Sequence, residues 1–218
     1  LCYDNIEQKY LKKKGLLMLA EKIPEARIDD ENTIKNITFE SETLEDVDVS
    51  SIDFETVNFE KCRFIHCDFS KCGFYDVTFK NCDFSNCIFT DSFWKVGLIT
   101  NSKGNGANFS KSHFKMFTID QSLMDYSNMA QSVFENCKIE ESRFEKAFFS
   151  EVTYKKTSLV NVHLKAADFY KSSLKDIDLS SCNIENIMLS EGLPELQGAK
   201  INMFQAAEIV GMLGIKIV

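Results

Sequence analysis

Across residues 52–89 a phenylalanine recurs at every fifth position: Phe54, Phe59, Phe64, Phe69, Phe74, Phe79, Phe84 and Phe89. An α-helix repeats every ~3.6 residues and a flat strand every ~2, so neither gathers these rings on one surface. A chain that turns a corner every five residues does. Two positions before each Phe stands a small or β-branched residue (Ile52, Val57, Cys62, Cys67, Cys72, Val77, Cys82, Cys87), so each pass sends two side chains inward. The phase holds from Ile34 to Leu189. Of its (189 − 34)/5 + 1 = 32 central positions only Gly104 is not apolar, and 15 of the 19 Phe fall in it. A period sustained over such a length makes a repeat protein, in which each unit leans on its neighbours.

Many units read as a small residue, Asp or Asn, then Phe: Ile52-Asp53-Phe54, Val57-Asn58-Phe59, Cys67-Asp68-Phe69, Cys82-Asp83-Phe84, Ala107-Asn108-Phe109 and Ala167-Asp168-Phe169. In this the chain resembles the pentapeptide-repeat proteins. The resemblance implies an all-β solenoid, a right-handed quadrilateral β-helix with four five-residue units per coil, over roughly residues 34–201. The stretch 196–215, LQGAKINMFQAAEIVGMLGI, and the run Gly104-Asn105-Gly106-Ala107-Asn108-Phe109 are similar to the quinolone-resistance branch of that family. That branch implies a DNA mimic that binds DNA gyrase or another type II topoisomerase, reduces fluoroquinolone action, and forms a homodimer through its C-terminus.

Charge is distributed unevenly. Residues 25–60 hold twelve acids against Arg27 and Lys35, a net of −10; residues 1–24 carry +2 and residues 61–218 carry 18 of each sign. The whole net charge of −8 therefore arises near the N-terminus. Two readings stand side by side. One is a solvated, solubilising face. The other is an array of carboxylates that imitates DNA phosphates for a basic partner, with Asp29, Asp30, Glu40, Glu42, Glu45, Asp46, Asp48, Asp53 and Glu55 as its residues. The sign of the field disfavours direct nucleic-acid binding.

Three segments depart from the repeat. Residues 1–33 precede it, and the apolar spacing from Asp4 to Ile23 predicts an amphipathic helix stopped by Pro24, a cap for the open first coil. Residues 91–108 falter: Gly97 and Gly104 replace packing residues and Trp94 takes a central slot. The expectation there is a bulged coil or an exposed contact built from Trp94, Lys95, Lys103 and Asn105. Residues 202–218 predict a helix capped by Asn202, whose apolar face (Met203, Phe204, Ala207, Val210, Leu213) packs on the last coil or on another subunit, followed by a β-prone tail of Ile215, Ile217 and Val218.

Seven of the eight cysteines occupy the small inward slot, where Ser, Ala and Val serve elsewhere. They read as reduced packing residues, which fits a cytoplasmic protein and no metal. His66, His113 and His163 are scattered, and no nucleophile–base pair or phosphate loop stands out, so an enzyme with a cofactor is not expected. No apolar run is long enough to span a membrane, and none reads as a secretory leader. The alternative to the gyrase reading is a scaffold module that binds an unrelated protein.

Overall fold

The computed structural model describes residues 18–216. A short helix, α1 (Leu19–Ile28), leads into β1 (Thr33–Glu40), β2 (Thr43–Glu45), β3 (Asp53–Glu60), β4 (Arg63–Ile65), β5 (Gly73–Lys80), β6 (Phe93–Thr100), β7 (His113–Asp120), β8 (Val133–Glu135), β9 (Lys138–Glu140), β10 (Thr153–Lys155) and β11 (Ser158–Val160). A 3₁₀ turn at Pro194–Leu196 and a second helix, α2 (Met203–Met212), close the chain. Every strand pair is parallel and displaced by 20 residues, as in Ile34↔Phe54 and Phe54↔Phe74. Isolated bridges extend the same ladder to the faces without strands, from Asp48↔Asp68 to Asp168↔Met188. The chain is therefore a right-handed quadrilateral β-helix with a helix at each end.

The corners explain the period. Two residues after the central side chains from Ile34 to Leu174, and again after Ile184, the backbone enters the left-handed region, at φ values such as 57° at Asn36, 54° at Asp46, 56° at Lys61 and 57° at Asn186. One such residue per five turns the chain through each corner. Asn and Asp tolerate it best among non-glycine residues, so the scarcity of Gly and Pro is no obstacle.

Inside, central side chains stack coil on coil. One column runs Phe54, Phe74, Trp94, Phe114, Phe134, Tyr154 with centroid spacings of 5.3, 3.9, 5.6, 4.8 and 5.8 Å. Offset-stacked rings at such spacings add to what burial alone contributes. The small slot does more than fill space. Its thiol or hydroxyl donates to the carbonyl of the central residue 23 positions earlier: Cys62 to Phe39 at 3.3 Å, Cys72 to Val49 at 3.2 Å, Ser112 to Phe89 at 2.8 Å, Ser132 to Phe109 at 2.9 Å and Thr157 to Phe134 at 3.1 Å. This is why Cys, Ser and Thr interchange there. All seven described cysteines are free and buried. Burial pushes the thiols of Cys72 and Cys137 up, to about 12 and about 11, so they stay protonated and unreactive.

Coil 91–108 is not bulged. β6 is eight residues long and pairs in unbroken register with β5 and β7. The two glycines are met by bulk from adjoining coils. A Cβ at Gly97 would meet the Val77 carbonyl oxygen first and then, at 2.8 Å, the Phe117 ring, which fills the small slot one coil on and is buried against Trp94. A Cβ at Gly104 would stand 2.6 Å from Met124 Sδ and closer still to the Phe84 ring. Volume is exchanged between stacked neighbours and the backbone does not bend.

At the N-terminal end α1 runs through Pro24 to Ile28 instead of stopping there. Leu19, Ile23 and Ala26 are buried against the first coil, and that packing outweighs the backbone hydrogen bond lost at Pro24. The part of the expected helix from Asp4 to Leu17 lies outside the described residues. At the other end the chain completes the ladder at Asp178↔Lys200. Glu195, buried, accepts the Lys171 amide at 2.9 Å and also the hydroxyl and amide of Ser190. Asn202 and Gln205 form a reciprocal capping box that starts α2. Gln205 Nε2 then donates to the carbonyls of Leu179 and Cys182 at 2.8 and 2.7 Å, closing the last coil.

Candidate interaction surface

The expected carboxylates form a collar around the first coils rather than a stripe on one face. Glu40 and Glu60 are register partners on one face. Glu45 lies on the next, Asp46 at the corner that follows, Asp48 on the third face, and Asp53 with Glu55 on the fourth. Asp29 and Asp30 are exposed between α1 and β1.

Local partners take up part of the collar. Lys61 reaches Glu40 at 3.2 Å, Lys80 reaches Glu60 at 3.4 Å, and His66 lies 3.4 Å from Asp46. Asp48 accepts the Ser50 amide at 2.9 Å and pairs with Arg27 at 3.1 Å. Its pKa is held below the usual carboxylate value, first by Ser50 and then by Arg27. Asp53 is half-buried and accepts the Gly73 amide at 3.0 Å. Among the described residues Asp30, Glu45 and Glu55 face solvent with no cation within ion-pair distance.

Glu42 does not belong to the collar surface. It is buried, and its Oε2 accepts the Leu19 amide at 2.8 Å, capping the first turn of α1. It stands in the inward small slot, and its position in the phase already marked it as internal. Burial raises its pKa.

The contact expected at 91–108 also changes. Trp94 is fully buried between Phe74 and Phe114, with Nε1 donating to Ser92 Oγ at 2.7 Å, so it offers nothing to a partner. Asn105 is half-buried, and its Oδ1 accepts the Asp125 amide at 3.0 Å, which makes it a support for the next coil. Lys95 and Lys103 are exposed. Sequence reading missed Val96 and Met116, both exposed at the left-handed corner of this region. An apolar residue in the corner phase was the available signal.

On α2, Met203 and Phe204 are each 80 % exposed, Ala207 is exposed and Val210 is half-buried, and just beyond it Leu213 and Ile215 are exposed. Gln205 is buried and Ile209 packs against the core. The apolar face expected from sequence thus points away from the last coil. Of the tail, Ile217 and Val218 lie outside the described residues.

A family model described as a pentapeptide repeat region matches residues 52–129. Over that stretch the chain is similar to the pentapeptide-repeat family. Among solved structures, the chain is similar to a trypsin-treated form of QnrB1, a plasmid-mediated fluoroquinolone resistance protein, at 20% identity with 85% of this chain and 98% of that one covered and a TM-score of 0.47. Full-length QnrB1 is similar at 17% identity, 84% and 100% covered, TM-score 0.45. HetL, a pentapeptide repeat protein involved in heterocyst differentiation regulation from a Nostoc cyanobacterium, is similar at 11% identity, 84% and 95% covered, TM-score 0.34. No curated protein sequence matches. Among the described residues no helix is long and apolar enough to cross a membrane, and no cluster of His, Cys, Asp and Glu is placed to hold a metal ion.

Proposed function

We propose that this pentapeptide-repeat rod binds a type II topoisomerase, DNA gyrase first, by presenting its acidic collar to the surface that otherwise holds DNA, and so reduces fluoroquinolone action. The observation that carries the reading is the collar on a stiff support. Carboxylates are fixed at coil spacing, about 4.8 Å along the axis, on a backbone whose every coil is hydrogen-bonded to its neighbours. A basic groove reads such an array as it reads phosphates, by charge and spacing, with little reorganisation. The exposed apolar face of α2 supports a second element, association of two copies through their C-termini, which would present two collars to a two-fold partner. The C-terminal sequence pattern supports the same branch. In this reading the protein acts by binding in the cytoplasm, with no chemistry of its own.

Displacement of a labelled duplex from purified gyrase tests it. The intact protein is expected to displace the duplex, less well as salt rises. Neutralising Glu40, Glu45, Asp46 and Glu55 to the corresponding amides is expected to weaken displacement by at least about tenfold. No displacement by the intact protein would defeat the reading. Displacement that neutralisation leaves untouched would move the contact off the collar, and binding to an unrelated protein would then make the rod a scaffold.

A further inference from the structure

Between Thr33 and Met188 every coil boundary but one is bridged on all four faces. On the faces that carry Glu45 and Asp48 the ladder continues to His163↔Asn183 and Asp168↔Met188. On the other two it stops at β10 and β11, which pair only backwards, with β8 and β9. Among the described residues no bridge joins Thr153 to Ser173 or Ser158 to Asp178, the positions one coil on. Residues 173–180 are tied onward instead: the amides of Leu174, Asp176 and Leu179 donate to the carbonyls of Glu195, Gly198 and Lys200 at 2.8, 3.0 and 2.8 Å.

Packing records the same opening. From Ile34 to Ile184 every central residue is buried except Tyr154, whose ring is half-buried. Its enclosed hydroxyl has no hydrogen-bond partner among the described residues. Cys182 Sγ stands 3.8 Å from the Leu159 carbonyl, where Cys62, Cys72 and Cys137 reach theirs at 3.3, 3.2 and 3.3 Å. The Asn161 amide donates to the Ser181 hydroxyl at 3.1 Å, whereas one coil earlier the Glu141 amide meets the Val160 carbonyl at 3.0 Å. A slot of about 240 Å³ separates the two coils, lined by Thr157, Leu159, Val160, Asp176, Asp178 and Ser180 among others.

Bending the rod at any other boundary breaks bridges on at least one face. Here two adjacent faces have none to break, so compliance concentrates at this boundary. Beyond it, the last coil is held together by the bonds from Leu174, Asp176 and Leu179, and Gln205 fastens α2 to Leu179 and Cys182. We infer that the boundary is a hinge. The C-terminal cap, residues 171–216, rocks as one body on the two bonded faces while the slot over Tyr154 opens and closes. Closing makes ladder bonds, opening hydrates the unpaired amides of β10 and β11, and neither breaks a ladder bond already made. The motion re-aims the exposed Met203 and Phe204, and a partner on that helix selects one angle from those available. It stands whether or not the rod binds gyrase.

The test measures distances between paired spin labels on the full chain, with Cys2→Ser so that the remaining native thiols are buried. Glu55→Cys with Lys155→Cys spans the rod on one face and stops short of the slot. Glu55→Cys with Lys175→Cys runs along the same face and adds the boundary. Arg63→Cys with Asn183→Cys crosses the same boundary on a bonded face. All five sites are exposed. The second pair is expected to give a distance distribution at least about twice as broad as the first, and the third one as narrow as the first. Native-state hydrogen exchange adds an independent readout. The amides of Tyr154, Lys156 and Leu159 are expected to exchange about tenfold or more faster than those of Phe134, Asn136 and Ile139. Equal widths for the first two pairs would overturn the inference and leave a fixed kink. A third pair as broad as the second, or equal protection of the two amide sets, would overturn it as well.

Discussion

The coils at residues 39–80 and those at residues 93–128 follow one backbone path but are filled on different principles. In the first, like stacks on like: Phe39 on Phe59 on Phe79, at 5.5 and 4.6 Å. In the second, unlike residues fit in pairs: Gly97 with Phe117, Gly104 with Phe84 and Met124, Trp94 with Ser92. Outside, the first shows carboxylates and the second shows lysines around an apolar corner. The comparison teaches that register is held by the parallel ladder and by the small-slot hydrogen bond. Volume has only to sum correctly across neighbouring coils. Surface chemistry is then free to change from coil to coil while the rod stays straight.

The largest effects should come from the stacked rings. Trp94→Ala and Phe54→Ala are each expected to cost about 3–5 kcal/mol in chemical denaturation, because both sit fully buried in one column. A much smaller loss at Trp94 would break the claim that the two regions are equally well packed. Next, Gly104→Leu is expected to cost about 1–3 kcal/mol by overpacking, and Phe84→Leu in the same chain should recover part of it, with a coupling of roughly 1 kcal/mol. Simple additivity would show that the volumes are not exchanged.

Smaller effects sharpen the comparison. Ser112→Ala should cost about 1–2 kcal/mol, since Ser112 Oγ donates to Phe89, contacts Ser92 Oγ at 2.9 Å and accepts the Ser92 amide at 3.2 Å. Cys72→Ala, on the regular side, should cost less because a thiol is a weak donor. Native thiol titration should find the seven repeat cysteines unreactive until the chain unfolds. The smallest effect is a pH dependence at Glu42. Its pKa is raised in the folded state, so its contribution to stability is greatest at acid pH and is lost as pH rises through that pKa. Glu42→Gln, which keeps an acceptor for the Leu19 amide, should therefore match the native chain at low pH and exceed it near neutrality, as thermal melts across pH would show.

Much of this architecture was legible in the phase of five. Ile34 to Leu189 and the inward slot at Cys62, Cys67 or Ser112 could be placed by counting. What counting could not supply was compensation between coils. Gly97 looks like a defect until Phe117 is known to lie across from it, 20 residues away. Trp94 looks like a contact residue because tryptophan is rare and the coil looked broken, whereas its central phase already required burial. Glu42 and Asn105 look like exposed polar residues in sequence, whereas the Glu42 carboxylate and the Asn105 side-chain carbonyl accept backbone amides of the fold. The carboxylates of residues 40–55 were visible as a run in sequence, but five-residue turning spreads such a run over all four faces. The helix face at Met203 and Phe204 was found, and its direction needed the capping role of Gln205.

The supercoiling activity of gyrase, followed in the presence of a fluoroquinolone while the protein is added, tests the central claim most directly. The account predicts that supercoiling recovers with the intact protein. It also predicts that recovery is lost when Glu40, Glu45, Asp46 and Glu55 are neutralised, and survives Glu42→Gln. No recovery at any concentration, or full recovery with the neutralised collar, would contradict it.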